Sequence, residues 1–138
     1  GFAMLGHMQA RSDGSFSPTV RAKIIERAGG CCERCPRGGR WFEVHHRSPR
    51  GMGGVDNEWT GLASNGLLLC GRCHRWVEAN RPESIERGWL VQYGDDPELM
   101  PVLLHSGQVV LLDRDGSYRR AAPTVEVPVG RGRVATSW

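Results

Sequence analysis

No stretch of this 138-residue chain approaches the roughly 18 consecutive apolar residues that a membrane-spanning helix needs. A secretion signal is missing as well: residues 1–7 are too few and hold no Lys or Arg, and Gly6-His7-Met8 reads as a cloning scar, so residues 1–7 are expected to be an expression-tag remnant and Met8 the native start. The expected compartment is therefore the cytoplasm, with no membrane partner. Aromatic residues are scarce, at 7% of the chain, and five of them are Trp, which leaves a small core that a bound metal would help to fold. Internal repeats and low-complexity tracts are lacking, so a solenoid and a disordered tail protein are both poor fits. Cysteines number only five. In a reducing compartment, cysteines paired at short spacing point to metal binding rather than to disulfides.

Charged residues make up 24% of the chain, with a net charge of +3. The balance is uneven. Residues 8–50 carry nine Lys/Arg against four Asp/Glu, whereas residues 51–78 and 79–138 are each acidic by one. A basic first half is a modest footprint for a polyanion partner.

Ser17-Pro18 predicts a capped helix start. Val20, Ile24 and Ile25 give that helix its apolar face, Gly29-Gly30 stops it, and Arg21, Lys23 and Arg27 are expected to be exposed. Residues 41–45 read as a strand, 47–64 as a long loop, 66–69 as a short buried strand and 71–80 as a helix that Arg81-Pro82 breaks or restarts. Three further strands are predicted at 89–93, 101–105 and 108–112, the last two joined by a turn at Ser106-Gly107. Residues 8–17 form a polar arm, and 121–138, rich in Pro, Gly and Val, an extended tail.

Cys32-Glu33-Arg34-Cys35 and Cys70-Gly71-Arg72-Cys73 are two C-x-x-C turns. Two intervening residues let both thiolates of a turn reach one cation, so the two turns together complete a tetrahedral four-sulfur zinc site. A redox C-x-x-C would be one pair beside a βαβ unit, and this sequence has two pairs and no such unit. The 34 residues between Cys35 and Cys70 exceed the spacing of a simple zinc ribbon. Cys31 is the odd one out, expected as a small buried side chain.

Between and beside the knuckles stand His45-His46, Asn65 and His74. His74 directly follows Cys73, so a zinc-fixed helix start brings it opposite the histidine pair. Hydrolysis of a polar bond needs a base for the attacking water and a cation to offset developing charge. A neutral imidazole and a divalent ion supply these.

The run Glu43-Val44-His45-His46-Arg47-Ser48-Pro49, then Gly53-Gly54, then Asn65-Gly66-Leu67-Leu68-Leu69-Cys70-Gly71-Arg72-Cys73-His74 resembles the signature of the HNH endonucleases, of the ββα-metal or His-Me finger superfamily. It is similar to the variant with two zinc knuckles found in phages and actinobacteria. The likeness covers residues 18–92. Residues 93–120, a β-hairpin appendix, and 121–138 carry no such motif.

The resemblance implies a small α+β fold, with a ββα-metal core stapled by zinc on Cys32, Cys35, Cys70 and Cys73. It also implies hydrolysis of DNA phosphodiester bonds, by nicking or double-strand cutting, with 5′-phosphate and 3′-hydroxyl ends; the expected partner is double-stranded DNA, and a monomer is the favoured state. By that likeness His46 is the general base, His45 and His74 hold the catalytic ion (Mg²⁺, Mn²⁺ or another divalent cation), and Asn65 holds the long loop. Glu78 departs from the pattern, since relatives often have His there. One helical turn after His74, it can still ligate, and an oxygen ligand suits Mg²⁺ or Mn²⁺. Arg47, Arg50, Arg72 and Arg75 are the candidates for phosphate contacts. The rival expectation is a non-catalytic zinc module that binds nucleic acid and needs the cysteines alone.

Overall fold

The computed structural model describes residues 16–36, 41–48 and 58–121, a small mixed helix-and-sheet structure. Helix α1 spans Pro18–Ala28. The Ser17 hydroxyl caps it by accepting from the Val20 N–H at 3.1 Å, Pro18 fills the first turn, and Gly29 closes it in the left-handed conformation, φ 68°.

Strand β1 (Phe42–His46) pairs antiparallel with β2 (Gly66–Cys70), from Phe42 opposite Cys70 to His46 opposite Gly66. Strand alternation then decides what β1 can build. Phe42 and Val44 join Phe16, Ile24, Ala63 and Leu68 in a small cluster against α1. His46 turns the same way, and its ring stacks on Phe16 with centroids 4.1 Å apart. Glu43 and His45 face the opposite side. Helix α1 lies so close to β2 that a Cβ at Gly66 would fall 2.4 Å from the Ile24 side chain. Strand β2 runs without a break into α2 (Gly71–Ala79), and Asn80 separates α2 from the short α3 (Arg81–Glu86).

Two strand expectations need correction. Residues 89–93 are not a strand, because their backbone groups are engaged elsewhere: the N–H groups of Trp89 and Leu90 donate to Ser84 O, and that of Val91 to Arg47 O. The appendix is also more than a hairpin. Strands β3 (Val102–Leu103), β4 (Val109–Leu112) and β5 (Tyr118–Arg120) form a three-stranded antiparallel sheet. It is not peripheral, since Val102, Leu104, Val110 and Leu112 share the main core with Cys32, Leu67, Leu69, Cys73, Val77 and Trp89. Gly88 permits that closure: a Cβ there would meet the Pro101 carbonyl oxygen at 1.9 Å, and its φ is +83°.

Arg27, expected at the surface, turns its side chain into the interior. Its side chain is 1% exposed and pairs with Glu33, at 2%, through two hydrogen bonds of 2.9 Å. It also donates to the carbonyls of Ala63 and Gly66. Glu33 in turn accepts from the Leu68 N–H at 2.8 Å and from the Tyr118 hydroxyl at 2.7 Å. This network ties the first C-x-x-C turn to α1, β2 and β5. Removing one partner of a buried pair leaves a charge unmatched, at a cost of about 3–5 kcal/mol. Arg27→Met should lower the unfolding free energy by roughly that much in urea titrations. A loss below about 1 kcal/mol would show that the pair is not what holds these elements together.

Candidate metal centres

Two groups of side chains among the described residues converge closely enough to hold an ion. The first is Cys32, Cys35, Cys70 and Cys73, whose sulfurs all lie within 4.8 Å of one another. Cys35 Sγ and Cys70 Sγ are 3.9 Å apart. A tetrahedron with Zn–S bonds of about 2.3 Å has sulfurs about 3.8 Å apart, so the spacing and the soft donor set both fit zinc. The surroundings act on the thiols in opposite directions: burial pushes Cys32 and Cys73 up, toward the neutral thiol, whereas hydrogen bonds bring Cys70 down. Cys70 caps α2 and accepts from the Cys73 N–H, and Arg34 Nη1 donates to Cys73 Sγ at 3.1 Å. At Cys70 burial works against ionisation, but hydrogen bonds from the Cys73 backbone and the neighbouring thiols outweigh it and bring the pKa down to about 7. Cys31 stands outside the group, half-buried.

The second group is His45, His74 and Glu78. Helix α2 carries His74 and Glu78 one turn apart on one face, opposite the His45 side of β1. The Glu78 carboxylate lies 3.7 Å from His45 Nδ1 and 3.8 Å from His74 Nε2. Both separations fall inside the roughly 4.2 Å that two ligands with bonds near 2.1 Å can span across one ion. Two imidazoles and a carboxylate suit a divalent cation. Each imidazole is also held by its other nitrogen: His45 Nε2 donates to the Trp89 carbonyl at 3.0 Å, and His74 Nδ1 hydrogen-bonds Glu43. Those bonds leave His45 Nδ1 and His74 Nε2 as the free lone pairs facing Glu78, the outer-shell orientation usual for metal-binding histidines.

Glu43 escaped the sequence reading. Its signal was parity: it sits two residues before His45, hence on the same strand face.

The other expected residues divide. His46 is on the opposite face of β1 from this group. Asn65 is fully buried, accepts from the Ser48 N–H through Oδ1 and donates to the Thr60 carbonyl, so it ties together the two ends of the loop between the strands. Arg47 is a correction. Expected to meet phosphate, it is 0% exposed, and its guanidinium donates to the carbonyls of Gly88, Ser64, Pro97 and Met100. With four of its five N–H groups given to carbonyls and no exposed surface, it is a structural cation rather than a phosphate contact. Arg72 and Arg75 are exposed on α2, and Arg50 lies outside the described residues.

Over 79 residues the chain is 35% identical to the Type IV methyl-directed restriction enzyme EcoKMcrA of Escherichia coli (strain K12). The match takes in 50% of this chain and 27% of that protein, so the chain spans well under half of its relative's length. No family model and no solved structure matches the chain. The chain is thus a distant relative of a restriction enzyme, and among its described residues no helix is long and apolar enough to cross a membrane.

Burial lowers the pKa of His45 from 6.5 to about 3, against the pull of the Trp89 carbonyl, so the ring is neutral in the folded chain. The sign for stability follows. Above pH 6.5 neither state takes up a proton, and below it the unfolded chain binds one that the folded chain refuses, so stability falls as pH drops from 6.5 toward 3. One such proton is worth up to about 1.4 kcal/mol per pH unit. His45→Gln keeps a donor for Trp89 but cannot titrate. Without added divalent ion, its unfolding free energy should fall less steeply than that of the parent chain between pH 6 and 5. Parallel curves would show that His45 is not buried neutral.

Proposed function

We propose that this chain is an HNH-type, metal-dependent endonuclease that hydrolyses phosphodiester bonds of double-stranded DNA. The observation that carries this reading is the convergence of His45, His74 and Glu78 beside a separate four-cysteine group. A zinc module that merely binds nucleic acid needs the cysteines and has no use for a second ligand set. The restriction-enzyme relative supports the same substrate class.

A divalent ion on His45, His74 and Glu78, Mg²⁺ or Mn²⁺ by its oxygen ligand, would offset the charge developing on phosphate and leaving oxygen. Glu43 and the Trp89 carbonyl keep the two imidazoles turned to that position. His46 takes a proton from the attacking water, whose oxygen bonds to phosphorus while the P–O3′ bond breaks, and the departing 3′ oxygen takes a proton from a solvent water to become the hydroxyl. Phe16, stacked on the His46 ring, holds it in one orientation at the end of β1. Zinc on Cys32, Cys35, Cys70 and Cys73 has a structural role. Arg72 and Arg75, exposed on α2, and Arg50 are the proposed phosphate contacts.

One observation favours the non-catalytic alternative: the proposed base lies across the strand from the proposed ion. A plasmid assay separates the two readings. Supercoiled DNA, methylated and unmethylated, should be nicked or linearised in Mg²⁺ or Mn²⁺ and spared in EDTA. His46→Ala should cut at least about 100-fold more slowly while still binding Mn²⁺, in line with the contribution of a general base. His74→Ala should lose both cutting and Mn²⁺. Intact plasmid in every metal would decide for the binding module, and near-normal cutting by His46→Ala would remove His46 as the base.

A further inference from the structure

Arg34 belongs to neither group of ligand atoms, yet it is connected to both. It sits inside the first C-x-x-C turn, and its Nη1 donates to Cys73 Sγ at 3.1 Å. Its guanidinium carbon lies 4.1 Å from the Trp76 ring centroid and 4.6 Å from that of Trp89. Those two rings meet edge to face, 5.9 Å apart at 80°, so Arg34 occupies the corner between them. Trp76 is carried by α2, midway between His74 and Glu78. Trp89 is fixed at its other edge by donation from Nε1 to the Leu103 carbonyl, and its own carbonyl accepts from His45 Nε2. Among the described residues Arg34 makes no salt bridge with a carboxylate, so its charge serves the sulfurs and the rings.

Four thiolates around a divalent cation leave a net charge of −2, and a guanidinium hydrogen-bonded to one sulfur offsets part of it. Cation–π contacts with two indoles hold that guanidinium in place. We propose that Arg34 is a positioning residue that couples the two metal sites, retaining zinc through Cys73 and, through Trp89, fixing the carbonyl that turns His45 Nδ1 toward the second ion. The second half rests on the metal-dependent reading above. The readouts need no cleavage, so a chain that bound both ions without cutting DNA would still decide the matter.

The test uses the full chain with Arg34→Met, which keeps an apolar stem but no charge, and Arg34→Lys, which keeps charge without the planar group. Zinc transfer to a chelating dye should be roughly 10–100-fold faster in Arg34→Met, the usual scale for losing an outer-shell partner. Arg34→Lys should fall between Arg34→Met and the parent chain. With zinc saturating, Mn²⁺ alone should bind Arg34→Met several-fold more weakly, as read by the paramagnetic signal of free Mn²⁺. A folded Arg34→Met that releases zinc at the parent rate would overturn the proposal. Unchanged Mn²⁺ affinity in a zinc-saturated Arg34→Met would overturn the coupling. If Arg34→Met does not fold, Arg34→Lys decides: parent-like behaviour in both readouts overturns the proposal, and intermediate behaviour supports it.

Discussion

Four sulfur atoms meeting where β2 turns into α2 are the constraint on which the rest of the arrangement depends. Two come from the turn after α1 and two from the strand–helix junction, so one zinc-sized centre fixes the start of α2 against the first helix and the hairpin. His74 is the residue after Cys73, and Glu78 follows one turn later. Once the helix start is pinned, both side chains are aimed at the His45 face of β1 with little further freedom. In a chain with few aromatics and a small core, that covalent adjacency replaces packing that the sequence cannot supply.

Buried polar groups carry the second layer of the architecture. Much of the chain near the site is irregular, and irregular backbone leaves carbonyls that need donors. Two guanidiniums provide them: Arg27 reaches Ala63 and Gly66 while paired with Glu33, and Arg47 reaches four carbonyls from three segments. Asn65 does the same for the loop ends on a smaller scale. The Trp89 carbonyl shows the converse use, an irregular backbone group kept free of any ladder so that a histidine can donate to it.

What the sequence revealed, and what it concealed, follows from the range of the interactions. Local signals placed α1, β1, β2 and α2 within a residue or two, because caps, alternation and C-x-x-C spacing are all short-range. The resemblance to the HNH signature singled out His45 and His74, and helical spacing added Glu78; the fold brings the three together. Arg47 and Arg27 misled because a long cation looks exposed unless its acceptors are known, and those acceptors lie up to 53 residues away. The apolar stretch at 89–93 reads as a strand, but its amides are claimed by Ser84 and Arg47. Strand β5 offered no alternation at all, since Tyr118, Arg119 and Arg120 are all exposed. Glu43 was legible in principle, from its parity with His45, but only once the face bearing the site was known.

The central claim is that the chain holds two different ions at two places, sulfur-bound zinc and an oxygen- and nitrogen-bound divalent cation between β1 and α2. Anomalous diffraction from a crystal soaked in Mn²⁺ tests this most directly. Data recorded on either side of the zinc and manganese absorption edges should place zinc among Cys32, Cys35, Cys70 and Cys73, and manganese among His45 Nδ1, His74 Nε2 and the Glu78 carboxylate. A zinc peak with no manganese between the two histidines, at Mn²⁺ concentrations that support any activity of the chain, would contradict it.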